Sequence, residues 1–111
     1  MKFGLTKKQM DIILNVFLDY PFVDEVILFG SRSTGEHKRT SDIDIALKGN
    51  MDRNQLSKVK RALQDATLIP LFFDIIDYSK ISNKLLLEEI DKKGISIFRK
   101  GSVNSSLSKS D

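Results

Sequence analysis

The segment DIDIAL, residues 42–47, carries two aspartates one residue apart, Asp42 and Asp44, among apolar neighbours. Its strict alternation predicts a strand with both carboxylates on one face and the branched apolar side chains on the other. Two carboxylates roughly 6–7 Å apart repel each other by about 2–3 kcal/mol at an effective dielectric constant near 20. A divalent cation between them would turn this repulsion into ligation. Taken alone, the alternation is more typical of a solvated strand at a sheet edge, and only the neighbouring residues shift the interpretation toward a metal site.

A third carboxylate interrupts the apolar segment LFFDII, residues 71–76, at Asp74. An unpaired charge is unfavourable inside a buried strand. If this strand pairs beside residues 42–47, Asp74 completes a cluster of three carboxylates. Asp77 competes for that role, but it follows the strand and is more simply a helix cap. We therefore predict that Asp42, Asp44 and Asp74 form one cluster of three carboxylates beside a metal site.

Gly30 and Ser31 follow a short apolar segment, residues 25–29, and precede a possible helical turn. Glycine allows a ligand to approach the backbone, and the N–H groups at a helix start, with a serine hydroxyl, can bind an anion. Taken alone, the two residues are more simply explained by a turn. Together with the aspartates, however, they suggest a phosphate cradle beside a metal site, which is what a nucleoside triphosphate requires. The basic residues that could face its phosphates are Arg32, Lys38 and Arg39.

The composition limits the chemistry further. The chain has no cysteine and a single histidine, His37, so thiolate zinc sites, cysteine nucleophiles and multi-histidine metal sites are excluded. A metal must be held by oxygen ligands, which points to Mg²⁺, with Mn²⁺ as a substitute. The net charge of +3 fits a phosphate-bearing partner. His37 lies in a polar segment and is expected to be solvated.

No apolar run approaches 18 residues, and the N-terminal segment lacks the apolar core of a signal peptide. We therefore expect a cytoplasmic protein that does not use a membrane. No aromatic stripe accompanies a basic run, so direct nucleic-acid binding is not expected either.

The elements that must position these residues follow from periodicity and capping signals. Helices alternate with short strands, which predicts an α/β (α+β) domain with a small mixed sheet and helices packed mainly on one face. We expect one domain over residues 1–100 and a disordered tail over 101–111. Capping boxes at Thr6 and Gln9 and at Asp52 and Gln55 predict the starts of two helices. A last helix, capped by Asp77 or Ser79, is predicted to end at Gly94 and to carry Ile81, Leu85, Leu86 and Ile90. The predicted strands are 25–29, 42–47, 71–76 and 95–99.

The arrangement Gly-Ser, ten residues, Asp-Ile-Asp resembles the signature of the polymerase-β-like nucleotidyltransferase superfamily. The longer form FGSRSTGEHKRTSDIDIAL, followed by FFDIID, is similar to the minimal nucleotidyltransferases, the MNT proteins of prokaryotes, over residues 6–99. The resemblance implies a fold like a reduced polymerase palm. Gly30, Ser31 and Arg32 would then bind the triphosphate, and Asp42 and Asp44 would ligate two magnesium ions. Asp74 would ligate one of these ions and help to activate an acceptor hydroxyl.

The resemblance also implies an activity and a partner. Family members of this size pair with HEPN proteins, all-helical ribonuclease toxins, and several are antitoxins that transfer AMP from ATP to a tyrosine of that partner. We therefore expect a magnesium-dependent nucleotidyltransferase with antitoxin function. Two alternatives stay open at this point: a binding module that neutralises a toxin by occlusion, and a nucleotidyltransferase that modifies a small molecule.

Overall fold

Capping boxes determine where the first and third helices begin. The Thr6 hydroxyl accepts the N–H of Gln9 and the Gln9 side chain accepts the N–H of Thr6, and Asp52 and Gln55 repeat this exchange. The computed structural model describes residues 3–36, 42–67 and 72–101. Its elements are α1 (Lys7–Leu18), β1 (Val23–Phe29), α2 (Ser31–Thr34), β2 (Ile43–Gly49), α3 (Arg53–Thr67), β3 (Phe73–Asp77), a short 3-10 helix (Tyr78–Lys80), α4 (Lys84–Lys93) and β4 (Ile95–Arg99).

In the part of the chain that the structure describes, four strands form one mixed sheet in the order β3-β2-β1-β4. β1 is antiparallel to both β2 and β4, while β2 and β3 are parallel. The predicted mixed sheet is therefore confirmed. The segment with the paired aspartates does not lie at an edge, because β2 is flanked by β3 and β1. A solvated edge strand is thus the wrong explanation for the alternation at 42–47.

The two faces of the sheet are covered unequally. α1 and α3 cover one face and enclose the main hydrophobic core, to which alternate residues of β1 and β2 contribute. On the opposite face, α4 covers a smaller apolar cluster of Ile27, Phe29, Ala46 and Ile90. The remainder of this second face, at the C-terminal end of β1 and the N-terminal ends of β2 and β3, carries the predicted carboxylates. The main core consists of Leu5, Ile13, Val16, Phe17, Val23, Val26, Leu28, Ile43, Ile45, Leu47, Met51, Val59, Leu63, Phe73, Ile75 and Phe98.

The predicted start of the last helix was wrong. The carboxylate of Asp77 accepts the N–H of Ser79 and caps the separate 3-10 helix, whereas Asn83 caps α4 by accepting the N–H groups of Leu85 and Leu86. A second local signal, Asn83, competes with Asp77 only six residues later, and periodicity cannot tell which of the two begins the long helix.

The predicted helix end at Gly94 is confirmed, but its backbone is extended rather than left-handed. A Cβ at this position would collide with the Ile90 carbonyl and with the Ile27 side chain, so the glycine is explained by close packing.

Some predictions fall on other parts of the chain. His37, Lys38 and Arg39 lie outside the described residues, as do Leu71 and residues 102–111. The domain boundary at residue 100 and the disordered tail therefore stay predictions. No helix in the described residues combines the length and apolar content that crossing a bilayer requires.

Candidate active site

The parallel register of β2 and β3 sets Asp44 directly beside Asp74. Adjacent strands lie about 4.8 Å apart, so the two backbones carry their carboxylates as neighbours. Ile43 and Phe73, the preceding residues on the two strands, are both buried in the main core. Since side chains alternate along a strand, Asp44 and Asp74 project from the opposite face. The pairing on which the three-carboxylate prediction depended is present.

Asp42 lies one residue before β2 and is exposed, as is Asp74, whereas Asp44 is half-buried. The charges of Asp42 and Asp74 both act on Asp44, so the three predicted carboxylates occupy one region. Among residues 3–36, 42–67 and 72–101, no three carboxylates or imidazoles converge on a common metal position. The structure therefore brings the three residues into one neighbourhood without assembling them into a closed metal cage, and their ligand roles stay predictions.

The electrostatic environment of Asp44 opposes its ionisation. Burial raises its pKa, and the charges of Asp74, Asp42 and Glu89 raise it further, while Arg32 acts in the opposite direction. A divalent cation would compensate this excess of negative charge. Carboxylate oxygens are also the donors that magnesium prefers. The donor set and its charge therefore fit the predicted Mg²⁺.

Glu89 was missed by the sequence analysis. It precedes the buried Ile90 on α4, and its charge reaches Asp44 because α4 packs against the same face of the sheet. The only available signal was its position at the border of the buried stripe of α4, and an exposed glutamate at such a border is ordinary.

Gly30 lies against the side chain of Asp44. Its backbone has φ +77° and ψ −153°, a combination that residues with a side chain rarely adopt, and a Cβ there would collide with Asp44 Oδ2. The Gly30 carbonyl accepts the N–H groups of Ser33 and Thr34 at 3.2 and 3.3 Å, which fixes the turn into α2. Glycine is thus required twice, for the conformation and for the approach to the carboxylate.

Ser31 is the first residue of α2 and is half-buried. Phe29, two residues earlier at the end of β1, pairs with Asp44 of β2. The Gly30-Ser31 pair therefore lies at the same end of the sheet as the carboxylates, on the side of Asp44 that is opposite to Asp74. This places the predicted phosphate cradle next to the predicted metal ligands, as the sequence analysis expected.

Arg32 has a different setting from the one expected of a phosphate contact. Its side chain is only 2% exposed, and Nη1 donates a hydrogen bond to the Phe3 carbonyl at 2.6 Å. Burial lowers its pKa, and the charges of Asp42 and Asp44 counteract this effect. The guanidinium thus links the N-terminal turn to the carboxylates from inside the protein. Its role in nucleotide binding stays a prediction.

Comparisons with known proteins agree with this geometry. A family model described as "Polymerase beta, Nucleotidyltransferase" matches residues 11–102. No curated protein matches the chain.

Among solved structures, a toxin-antitoxin structure with AMP-PNP matches with a TM-score of 0.68 and 21% identity, over 91% of this chain and 82% of the other. A complex of the tri-AMPylated HEPN toxin of Shewanella oneidensis with its MNT antitoxin matches with a TM-score of 0.64 and 18% identity, over 91% and 78%. A candidate nucleotidyltransferase from Sulfolobus solfataricus matches with a TM-score of 0.53 and 20% identity, over 84% of this chain and 79% of the other. The chain is similar to these proteins in fold.

Proposed function

Because the chain belongs to the polymerase-β nucleotidyltransferase family, we propose that it transfers AMP from ATP to an acceptor hydroxyl, a tyrosine of a partner HEPN ribonuclease toxin, and thereby acts as an antitoxin. The observation that carries this proposal is the pairing of Asp44 with Asp74 beside Gly30. It brings a pair of carboxylates next to a glycine turn at the start of a helix, where backbone N–H groups could bind phosphates. ATP and a ribonuclease toxin as substrates would place the reaction in the cytoplasm.

In the proposed reaction, the acceptor oxygen attacks the α-phosphorus of ATP. A new P–O bond forms, the bond from the α-phosphorus to the bridging oxygen breaks, and pyrophosphate leaves with that oxygen. Gly30 and Ser31 hold the phosphates, and Asp74 takes up the proton of the acceptor hydroxyl. Two magnesium ions, held by Asp42, Asp44 and Asp74, would supply positive charge for the attacking and leaving oxygens.

Two observations on other proteins support the choice of substrates. One structure with the same fold contains AMP-PNP, and another contains an AMPylated HEPN toxin with its MNT antitoxin. The exposure of Asp74 on the outer strand β3 also supports a large acceptor, because an acceptor residue on another protein could reach it from solvent.

The test incubates purified protein with magnesium, a lysate of its host and each of the four α-³²P-labelled nucleoside triphosphates, and separates the products on a denaturing gel. We expect one labelled protein band with ATP, and mass spectrometry of this band identifies the acceptor protein. The band should disappear with EDTA and with Asp42→Asn/Asp44→Asn. Asp24→Asn serves as the control, because this exposed aspartate lies at the other end of β1.

A different result would contradict the proposal. If no nucleotide labels any protein, and if wild type and the double variant protect cells equally from the toxin, neutralisation occurs by occlusion and not by transfer. Labelling with another nucleotide would retain the transferase and change its donor.

A further inference from the structure

Phe72 is the one phenylalanine among the described residues that the fold leaves largely in solvent. Its side chain is 74% exposed, whereas Phe17, Phe29, Phe73 and Phe98 are all buried. The next residue, Phe73, already fills the main core at this point of the sheet. Packing therefore explains Phe73 and does not explain Phe72.

The backbone fixes Phe72 beside the carboxylates. Its carbonyl accepts the N–H of Ile43 at 2.9 Å, so it continues the ladder between β2 and β3 by one residue. Because Phe73 faces the main core, its neighbours Phe72 and Asp74 share the opposite face, with their Cα atoms about 6.5–7 Å apart. This is the face on which Asp44 lies. An exposed aromatic ring thus borders the candidate active site.

The order of the strands determines on which side of the candidate active site the Phe72 ring lies. Gly30 follows β1, Asp44 lies on β2, and Asp74 and Phe72 belong to the outer strand β3 or its entrance. In an in-line displacement, the attacking and leaving oxygens lie on opposite sides of the phosphorus. If the leaving pyrophosphate is held at the Gly30 side, the acceptor must enter from the side of β3. Phe72 lies on that side.

We propose that Phe72 is the acceptor-side contact of the active site, a platform on which the side chain that carries the acceptor hydroxyl rests. This inference builds on the proposed function and adds to it a residue that determines which acceptors bind. An aromatic ring packs best against another ring or an apolar group. The platform therefore favours a hydroxyl on an aromatic side chain over one on a short aliphatic side chain.

The test measures binding of two product analogues, in the presence of magnesium, by isothermal titration calorimetry. One is the phosphodiester of AMP with N-acetyl-tyrosinamide, and the other is the methyl ester of AMP, which has the same nucleotide but no ring. We expect wild type to bind the tyrosyl ester more tightly, by roughly three- to tenfold. Phe72→Ala should remove this preference and leave the affinity for the methyl ester unchanged, while Phe72→Tyr should retain the preference.

Leu18→Ala is the matched control, since Leu18 is 59% exposed on α1, across the sheet from this site. It should retain the preference, and circular dichroism should show that every variant is folded.

The alternatives give distinct results. If wild type binds both esters equally, the ring makes no acceptor contact and the inference is overturned. If Phe72→Ala weakens both esters and ATP to the same degree, the ring contacts the nucleotide instead, which also overturns it. If wild type binds ATP and prefers the tyrosyl ester, but Phe72→Ala retains this preference, another group makes the acceptor contact and the inference alone fails. If wild type binds neither ATP nor either ester, the proposed function fails, and the inference fails with it.

Discussion

Two carboxylates, Glu25 and Asp44, lie on the same face of the sheet at its opposite ends. The charges that surround Glu25 are mainly positive, whereas those that surround Asp44 are mainly negative. Glu25, at the start of β1, accepts a hydrogen bond from Arg99 Nη2 at 3.0 Å and lies 3.9 Å from Lys48 Nζ. Burial alone would raise its pKa, but the hydrogen bonds from Arg99 and Ser96 and the two positive charges outweigh it. The net pKa of Glu25 is lowered.

Asp44, paired with the last residue of β1, has the opposite balance. Burial raises its pKa, and three neighbouring carboxylates raise it further, while the charge of Arg32 acts in the opposite direction. The same sheet could have supplied cations here, as it does around Glu25. The charge at Glu25 is therefore compensated within the folded chain, whereas the charge at Asp44 is the one that the proposed Mg²⁺ would compensate.

The largest effect is expected when the charge of Asp44 is removed. Asp44→Asn keeps the size of the side chain and removes the proposed magnesium ligand, so the nucleotidylation rate should fall at least about 100-fold. The rate is measured as the transfer of label from saturating α-³²P-labelled ATP to the acceptor protein. Glu25→Gln, the corresponding change at the other end of the face, should retain the rate. Equal losses in both variants would remove the functional distinction between the two ends.

The second prediction concerns the approach of Gly30 to Asp44. Gly30→Ala introduces a Cβ against Asp44 Oδ2 in a backbone conformation suited to glycine, and it should lower the free energy of unfolding by about 1–3 kcal/mol. It should also lower activity, because the carboxylate must move. Urea denaturation and the transferase assay measure the two effects.

Gly35→Ala is the matched control for this substitution. Gly35 also has a positive φ, +85°, but, its chain neighbours apart, no atom of the described residues lies within 4 Å of its Cβ position. This variant should lose some stability and retain activity. If both variants lose activity equally, strain in the turn is the cause, and contact with Asp44 is not.

The sequence predicted this end of the sheet well because its determinants are local or belong to one motif. Alternation at residues 42–47 identified the strand, and a charge in an apolar segment identified Asp74. The argument for a three-carboxylate cluster assumed that β2 pairs with β3, and only the structure establishes this pairing.

The determinants that the sequence did not reveal depend on distant contacts. Glu89 reaches Asp44 only through the packing of α4, and the Arg32 side chain turns inward because the Phe3 carbonyl, 29 positions earlier, accepts its hydrogen bond. The sequence has two consecutive phenylalanines, Phe72 and Phe73, and does not show which of them is exposed. Only the register of β3 decides which ring enters the core.

The third prediction uses the raised pKa of Asp44, measured without metal in EDTA. Below its ordinary value of 3.8, the carboxyl group is protonated in the folded and unfolded states, and its charge has no effect on stability. As the pH rises through the higher pKa of the folded state, ionisation destabilises the fold. Asp44→Asn should therefore be more stable than wild type at pH 7, and the advantage should shrink toward pH 4. Urea denaturation at several pH values checks this, and a constant difference would contradict the assigned charge balance.

A smaller effect is expected at Glu25, where the sign is reversed. Its lowered pKa means that the carboxylate stabilises the folded state above its ordinary value of 4.5, and that this contribution is lost as the pH falls through the folded-state pKa. Because Arg99 and Lys48 are 62% and 41% exposed, Glu25→Gln should cost only about 1 kcal/mol or less at pH 7.

Asp11→Asn breaks the exposed pair with Lys7 on α1 and should cost still less than Glu25→Gln. The test is whether the Glu25→Gln deficit shrinks with acidification while the Asp44→Asn advantage shrinks too, so that both variants approach wild type from opposite sides. If the two differences carry the same sign at pH 7, the contrast between a compensated and an uncompensated carboxylate on this face is wrong.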